Sequence, residues 1–356
     1  MTDLFEPLTV KSWTLANRLV MAPLTRNRAQ GTVPGDLQAE YYSQRAAAGL
    51  IITEGSQPSA RGQGYPNTPG FHSPEQLAGW TKVTDAVHAQ GGLIVAQLMH
   101  AGRIAHPDNT GGEEIIAPSA IAAPGEMFTG TGSQPHPVPR ALETDEIPEA
   151  VEEFVTAARN AIDAGLDGVE IHAANGYLIH QFLAPGSNLR DDQYGGSPAN
   201  RIRFAVEVTR AVVDAVGADK VGIRISPAHN IQGATEEDAA DVEATYTGLI
   251  QEIAPLGLAY LSILADPRLD LVQSLRKEFG GVVIANDGFG TITTKDDAQA
   301  ILDEDLADAV AVGRLYLANP DLPTRWSKGA ELNEPDSDTF YGGGAEGYTD
   351  YPFLSA

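Results

Sequence analysis

The chain has 356 residues, 42% of them hydrophobic, so it is long enough to bury one large core. Its 23 basic and 48 acidic residues give a net charge of −25, which argues against nucleic acid and anionic membranes as partners. The absence of cysteine excludes disulfides, thiolate zinc sites and a cysteine nucleophile. The N-terminus does not resemble a signal peptide and no apolar run reaches the roughly 18 residues of a membrane span, so we expect a soluble cytoplasmic protein.

Short runs rich in Val, Ile and Leu alternate along the chain with longer segments of helical periodicity. Continuous apolar strands that alternate with helices are typical of a parallel sheet covered by helices. We therefore predict an α/β fold, a (β/α)8 TIM barrel with an N-terminal capping segment, formed as a single domain by residues 1–356. The eight predicted strands cover residues 18–24, 49–55, 92–98, 167–173, 220–226, 258–264, 281–286 and 308–314.

Helix boundaries are marked by capping residues and apolar stripes. Ser73, Pro74 and Gln76 form a capping box with proline at the first helical position, and Gly91 and Gly92 end that helix. Apolar residues at 3.6-residue spacing predict a helix over 147–162, and an acidic first turn predicts another over 234–253. We expect the acid-rich stretch 143–153 to be a solvated helix face.

Two connections, residues 100–143 and 174–197, are longer than simple loops, and the tail from about 328 to 356 reads as irregular. Both connections follow a strand and precede a helix. In a barrel they would lie at the C-terminal face, where the active sites of this fold are built.

Polar residues collect at the predicted strand ends: Thr25, Gln97, His100, His172, Asn175, Tyr177 and Arg224. Glycines and an arginine follow the seventh and eighth strands: Gly288, Gly290, Gly313 and Arg314. Barrel enzymes often bind phosphate with these last two loops, where backbone N–H groups and helix N-termini approach the anion. The spacing therefore predicts a phosphate site, and a guanidinium fork matches phosphate geometry.

His172, Asn175 and Tyr177 lie within one short stretch after the fourth strand. One helical or 3₁₀-like turn would point His172 and Asn175 in the same direction, so that two donors could hold a carbonyl or nitro oxygen. The Tyr177 phenol is a candidate general acid beside them. His172 and His180 as metal ligands is the competing interpretation, but no adjacent carboxylate completes a site, and we expect no metal.

Several strings resemble the Old Yellow Enzyme family of FMN-dependent ene-reductases, in its bacterial branch with N-ethylmaleimide and pentaerythritol tetranitrate reductases. They include "MAPLTRNRA", "AQLMHAGR", "HAANGYLIHQFL", "GIRISP", "VGRLYLANPDLP" and "FYGGGAEGYTDYP", and they span nearly the whole chain. The fold of that family is also an eightfold barrel.

The resemblance implies a role for each matching residue. Pro23, Leu24 and Thr25 would contact the flavin, Gln97 and Arg224 would bind its pyrimidine edge, and Gly55 would lie beside it. His172 would also adjoin the cofactor, and Gly288, Gly313 and Arg314 would hold its phosphate. His172 and Asn175 would bind the substrate oxygen, Tyr177 would donate the proton, and Thr25, Tyr65, Met99 and Tyr341 would line the substrate pocket. Met99 stands where bacterial relatives often carry tryptophan, so we expect a wider pocket.

The implied reaction is a ping-pong reduction of activated alkenes. NADPH or NADH would reduce FMN at N5, leave, and be replaced by an alkene that takes the hydride and a proton from Tyr177. The implied protein is a monomer or homodimer that acts on small molecules.

Other functions stay open at this stage. The same scaffold could reduce nitrate esters or nitroaromatics, or bind flavin without turnover. An α-hydroxy-acid oxidase barrel would need paired arginines for a carboxylate. An aldolase barrel would need a lysine at the carboxyl end of a strand, which none of the predicted strands carries.

Overall fold

Eight parallel strands close into a barrel, as predicted. The computed structural model describes residues 2–355. The strands are β1 Leu19–Met21, β2 Leu50–Ile52, β3 Ile94–Leu98, β4 Gly168–Ala173, β5 Val221–Ile225, β6 Tyr260–Leu264, β7 Val282–Asn286 and β8 Ala309–Val312. They pair in sequence order, and β8 pairs with β1 to close the ring. Each lies inside a predicted strand, which confirms the TIM barrel.

One helix follows each of the first seven strands and covers the outside of the barrel. These helices are α1 Asp36–Ser43, α2 Pro74–His88, α3 Ile147–Asp163, α4 Arg203–Val216, α5 Ala239–Ile253, α6 Asp270–Phe279 and α7 Lys295–Asp303. The shorter helices Arg314–Ala318 and Leu322–Lys328 follow β8. Across residues 2–355, none of the helices has the length and hydrophobicity that a membrane crossing requires.

The predicted helix starts hold for α2 and α3 but not for α5. The Ser73 hydroxyl and the Gln76 side chain cap α2 reciprocally, and α3 buries Ile147 and Phe154 against the core. Helix α5 begins at Ala239, not at residue 234, because the Asp238 carboxylate accepts hydrogen bonds from the amides of its first turn. The acidic residues before Asp238 are therefore free to make other contacts.

An N-terminal hairpin, Leu8–Val10 with Trp13–Leu15, closes the amino end of the barrel. Its apolar side chains pack with interior residues such as Val20, Leu50 and Val95. A Cβ atom added to Gly168 would lie 2.7 Å from the Trp13 ring, so glycine is needed for this close approach. The interior is thus packed at the amino end, and the cavity described below lies at the carboxyl end.

Both long connections leave the carboxyl ends of their strands. The connection after β3 contains a short helix, Pro107–Thr110, a parallel pair of Ile116–Ala117 with Arg140–Ala141, and a hairpin of Glu126–Thr129 with Gly132–Pro135. The connection after β4 contains the helices Leu178–Leu183 and Pro198–Arg201.

The C-terminal segment is irregular apart from one 3₁₀ turn, Ser337–Thr339, and two arginines hold it in place. The Arg26 guanidinium donates to the carbonyl of Phe340 at 2.9 Å, and Arg28 donates to the carbonyl of Thr339 at 2.8 Å. Both guanidinium groups also lie over the ring of Tyr348. Because Arg26 directly follows Thr25, this clamp brings Tyr341 to the mouth of the barrel.

Candidate active site

A cavity of about 920 Å³ opens at the carboxyl ends of the strands. This volume lies at the upper end of the range typical for cofactor and substrate sites. The residues that the family resemblance assigned to the site all line it: Pro23, Leu24, Thr25, Gly55, Tyr65, Gln97, Met99, His172, Asn175, Tyr177, Arg224, Gly288, Gly313, Arg314 and Tyr341. Residues scattered over most of the chain are thus brought together in one place.

The base of the cavity carries the buried guanidinium of Arg224, on β5. It donates to the Ser262 hydroxyl at 3.2 Å and to the Asn286 amide oxygen at 2.9 Å. The remaining nitrogen, Nε, is buried and has no hydrogen-bond partner anywhere in residues 2–355. A buried cationic donor without an acceptor is costly, so this position favours an electronegative ligand atom.

Glu170, in the middle of β4, fixes the orientation of Gln97 and was missed by the sequence analysis. The Gln97 amide nitrogen donates to the Glu170 carboxylate at 2.8 Å. This contact turns the NH2 group of Gln97 toward Glu170 and its amide oxygen away from it. Burial raises the pKa of Glu170, and the charge of Arg224 opposes that rise. An acid in the middle of the apolar strand Gly168–Ala173 was the available signal.

His172 and Asn175 both face the cavity, but not through the helical turn that we predicted. His172 is part of β4, and Asn175 follows the strand in a left-handed conformation with φ of 59°. Burial, together with the charge of Arg224, lowers the pKa of His172 well below its ordinary value, so the imidazole is neutral. The His172 Nδ1 and Asn175 Oδ1 atoms are buried and find no partner within the described chain.

Tyr177 lies beside these two residues and forms a pair with Tyr65. Their hydroxyl oxygens are 2.9 Å apart, and the Tyr177 ring centroid is 5.1 Å from that of His172. Tyr177 is only 8% exposed. Burial raises its pKa, although hydrogen bonds from Tyr65 and Gln232 oppose the rise. The phenol therefore keeps its proton at neutral pH.

Met99 forms one wall of the cavity and requires glycine at position 55. A Cβ atom on residue 55 would lie 2.5 Å from the Met99 sulfur, closer than van der Waals contact allows. Met99 is buried and packs in one cluster with Tyr65 and Tyr177. The wall beside His172, Asn175 and Tyr177 is therefore apolar and close-packed.

The predicted phosphate loops lie at one edge of the cavity. Gly288 has φ of 114°, a conformation open to glycine, and Arg314 donates to the Phe289 carbonyl at 2.7 Å. Gly290, the other glycine after β7, is not among the residues that line the cavity. The helix after Gly313 has five residues, Arg314–Ala318.

Two histidines, His100 from a predicted strand end and His180 from the competing metal interpretation, have structural partners instead. His180 Nδ1 accepts the Gly176 amide at 2.8 Å, and His100 Nδ1 accepts the Gly102 amide at 3.0 Å. Within the described part of the chain, no group of three or more His, Cys, Asp or Glu side chains could hold a metal ion. His100 also lies 3.4 Å from the carboxylate of Glu153, so this member of the acid-rich stretch is not solvated.

Comparison with known proteins gives the family. A sequence profile of the NADH:flavin oxidoreductase / NADH oxidase family matches residues 3–333. The Old Yellow Enzyme homologue of Zymomonas mobilis superposes with a TM-score of 0.94 at 41% identity, over 99% of this chain and 100% of that one. The chain belongs to the Old Yellow Enzyme family.

Other members of the Old Yellow Enzyme family are as similar. Morphinone reductase, solved in complex with tetrahydroNAD, superposes with a TM-score of 0.94 at 47% identity, covering 100% of this chain and 98% of that chain. A Leishmania infantum protein described as a probable flavin mononucleotide-dependent alkene reductase is 41% identical over 99% of this chain and 97% of its own length. The chain is thus an NAD(P)H-dependent flavin oxidoreductase.

The cavity of this Old Yellow Enzyme fits FMN chemically. The unpartnered Nε of Arg224 lies at its base, with the oriented amide of Gln97 beside it. Gly288, Gly313 and Arg314 lie at one edge. An isoalloxazine ring offers carbonyl oxygens and an imide N–H to such groups, and a ribityl phosphate offers an anion to the edge. Sequence reasoning missed Glu170, Asn286 and Gln232 here, because each acts through a partner distant along the chain.

Glu54 is a buried carboxyl group directly behind the cavity wall at Gly55. It accepts the Arg26 amide at 3.2 Å, and its Oε1 atom has no partner in the residues that the structure describes. Burial raises the pKa of Glu54 to about 7, although the hydrogen bond and the charge of Arg26 oppose this.

The Glu54 carboxyl predicts a pH-dependent stability in this Old Yellow Enzyme. Because its folded pKa of about 7 exceeds the value near 4.5 of an unfolded chain, folding loses stability as pH rises between those values. Glu54→Gln removes the titration. We expect the stability of Glu54→Gln relative to wild type, measured as the free energy of unfolding, to be about 2 kcal/mol greater at pH 8 than at pH 5. Urea unfolding at both pH values, with saturating FMN, measures this.

Glu75→Gln is the matched control for Glu54→Gln. Glu75 is exposed, and hydrogen bonds from its own amide and from Ser73 lower its pKa, so it is ionised throughout that pH range. Its effect on stability should be equal at pH 5 and pH 8. A Glu54→Gln difference that is equally independent of pH would show that Glu54 does not titrate in this range.

Proposed function

We propose that this enzyme uses FMN to reduce the C=C bond of alkenes activated by a carbonyl, imide or nitro group. The observation that carries the proposal is a neutral imidazole, an amide and a protonated phenol, all buried and facing one cavity: His172, Asn175 and Tyr177. The name of the Leishmania relative, an alkene reductase, supports the same reaction type.

The proposed flavin contacts follow from the unpartnered and oriented groups. Arg224 and Gln97 would bind the pyrimidine edge, Pro23, Leu24, Thr25 and Gly55 would contact the ring, and Gly288, Gly313 and Arg314 would hold the phosphate. Bound FMN would supply the two-electron chemistry, the transfer of hydride from a nicotinamide to the alkene. The positive charge of Arg224 would favour the reduced, anionic ring and so raise the reduction potential.

His172 and Asn175 would bind the electron-withdrawing oxygen of the alkene. A neutral imidazole donates through one nitrogen, and the Asn175 amide donates through its NH2 group. Two donors in a buried site stabilise charge that develops on a carbonyl or nitro oxygen, because water does not compete with them. Their action polarises the C=C bond and makes its β-carbon the more electrophilic end.

Tyr177 would deliver the proton to the α-carbon. Its raised pKa keeps the phenol protonated until a strong base develops on carbon. The Tyr65 hydroxyl, 2.9 Å away, is placed to stabilise the phenolate that remains. Tyr65, Met99 and Tyr341 would form the walls of the substrate site around this pair.

A single cavity explains the order of events that we propose. The one G-x-G-x-x-G string of the sequence, residues 342–347, lies in the irregular C-terminal segment and not between a strand and a helix. It therefore does not mark a separate dinucleotide domain, and NADH or NADPH and the alkene would share one pocket. They would then bind one after the other, in a ping-pong mechanism.

Replacement of Tyr177 by phenylalanine tests the proposed function most directly. We expect Tyr177→Phe to slow alkene reduction by about 10²- to 10⁴-fold, the usual range for loss of a general acid. The reduction of bound flavin by NADH needs no proton from Tyr177 and should keep its rate. Anaerobic stopped-flow absorbance with cyclohexenone resolves the two half-reactions in the same sample.

The reductive half-reaction of Tyr177→Phe thus serves as an internal control for folding and for FMN content. Equal alkene rates in wild type and Tyr177→Phe would refute the acid role of Tyr177. A wild-type enzyme that is reduced by NADH but never reoxidised by enones, maleimides or nitroalkenes would refute the proposed substrate class.

We also propose that NADH is the preferred hydride donor. The cationic residues of the described chain that line the cavity are Arg26, Arg224 and Arg314. Arg26 holds the C-terminal segment and the other two are assigned to FMN, so none is left for the 2′-phosphate of NADPH. The net charge of −25 also repels this extra phosphate. The complex of morphinone reductase with tetrahydroNAD supports the proposal.

Nicotinamide preference is tested by comparing kcat/KM for the two donors at several salt concentrations. We expect NADH to be favoured by about tenfold or more at low ionic strength, equivalent to about 1.4 kcal/mol. The ratio should fall as salt screens the repulsion. A kcat/KM for NADPH that equals or exceeds that for NADH at low salt would contradict the charge argument.

A further inference from the structure

The turn that carries Asn175 and Tyr177 is held from behind by three buried side chains outside the cavity. They are His180 on the helix Leu178–Leu183, Tyr246 on α5, and Glu236 in the loop before α5. His180 and Tyr246 are 0% exposed and Glu236 is 4% exposed. None of the three lines the cavity, so the reaction proposed above does not use them.

The hydrogen bonds of these side chains run in one direction. The Gly176 amide donates to His180 Nδ1 at 2.8 Å, so Nδ1 is an acceptor and the imidazole is neutral with its proton on Nε2. That nitrogen lies 3.2 Å from the Tyr246 hydroxyl and 3.4 Å from the Glu236 carboxylate. The Tyr246 hydroxyl donates to Glu236 at 3.0 Å. Burial raises the pKa of Tyr246 well above its ordinary value, so this donor keeps its proton.

Glu236 also holds the loop that covers the turn. Its carboxylate accepts the Ala228 amide at 2.8 Å, and its own amide donates to the Asn230 side chain. Ala228, Asn230 and Gln232 all have positive φ, which is uncommon for residues other than glycine. From this loop the Gln232 amide donates to the Asn175 carbonyl at 2.7 Å. The Glu236 carboxylate therefore supports the turn at residues 175–177 in two ways, through His180 and through the 228–236 loop.

We propose that His180, Tyr246 and Glu236 are positioning residues that set the Asn175 amide and the Tyr177 hydroxyl against the substrate, through the Gly176 amide and the 228–236 loop. This role rests on the proposed alkene reduction. Asn175 adopts a left-handed φ of 59°, and for residues other than glycine such a conformation is maintained by the surroundings.

The role predicts a specific defect when the chain of hydrogen bonds is cut. Without an acceptor the buried Gly176 amide would be unsatisfied, and the turn would relax toward other conformations. A shift of about 1 Å in a catalytic group can cost on the order of 100-fold in rate. The proton from Tyr177 would then arrive late or be replaced by one from water, which need not reach the same face of the substrate.

The test compares Tyr246→Phe with Tyr194→Phe. The Tyr194 hydroxyl donates to Glu207 at 2.9 Å, so both variants lose one tyrosine–glutamate hydrogen bond, but only Tyr246 belongs to the chain behind the turn. The substrate is 2-methylcyclohexenone, whose α-carbon becomes a stereocentre on protonation. Stopped-flow absorbance gives the rate of the alkene half-reaction, and chiral chromatography gives the enantiomeric excess of the product.

For Tyr246→Phe we expect an alkene half-reaction slowed by on the order of tenfold, a lower enantiomeric excess and unchanged FMN content. Tyr194→Phe should keep both the rate and the selectivity of wild type. Equal rates and selectivity in the two variants would overturn the positioning role. A wild-type enzyme that is reduced by NADH but does not reduce the enone would refute the proposed function, and the positioning role with it.

A second pair of variants gives a readout that is independent of turnover. His180→Leu removes the acceptor of the Gly176 amide, whereas His180→Gln keeps an acceptor and a donor on a side chain of similar reach. We expect amide hydrogen exchange in the peptide 174–183 to be faster in His180→Leu, with substantial recovery in His180→Gln. A folded His180→Leu variant whose amide exchange is as slow as that of wild type would overturn the positioning role. If His180→Leu does not fold, the role would be overturned by a His180→Gln variant that matches Tyr194→Phe in amide exchange but loses the selectivity of the reaction.

Discussion

The structure depends on the closure of a parallel hydrogen-bonded ring. All eight strands run in the same direction, so their carboxyl ends and the residues that follow them surround one mouth. The register of the ring sets neighbours across it, as where His172 on β4 pairs with Arg224 on β5. The residues that line the cavity range from Ala22 to Gly342, and closure of the barrel brings these distant parts of the sequence into contact. The hairpin around Trp13 fills the opposite end, which leaves the mouth as the place for ligands.

Several of the residues that line the cavity carry a buried polar atom that is not hydrogen-bonded within the protein. Among the described residues, Arg224, His172 and Asn175 each keep a buried polar atom without a partner, and all three line the cavity. His180 is equally buried, but both of its ring nitrogens have partners within the protein. Buried polar groups are nearly always hydrogen-bonded, so unsatisfied ones that face a cavity indicate where a ligand supplies the missing contact.

The sequence predicted the barrel and the residues that line the cavity, but not the residues that support them from behind. Both results have physical reasons. Apolar runs and capping residues are local signals, and they located every barrel strand and the start of α2. Thr25 and Tyr177 were recognisable because they end strands or match family strings. Glu170 and Glu236 were not, because their roles depend on Gln97 and His180, which lie 73 and 56 residues away along the chain. The left-handed φ of Asn175 was likewise hidden, since it is set by Ser226 and Gln232 from the next loop.

The central claim is that the ring of strand ends is a site for FMN, with the phosphate at Gly288, Gly313 and Arg314. Equilibrium titration of flavin-free protein with FMN and with riboflavin, followed by quenching of flavin fluorescence, tests it most directly. The account predicts one flavin per chain and an affinity for FMN at least about 100-fold above that for riboflavin, since a charge-assisted phosphate contact contributes roughly 1.5–3 kcal/mol and this site offers more than one. A folded protein that binds neither flavin, or binds both equally, would contradict it.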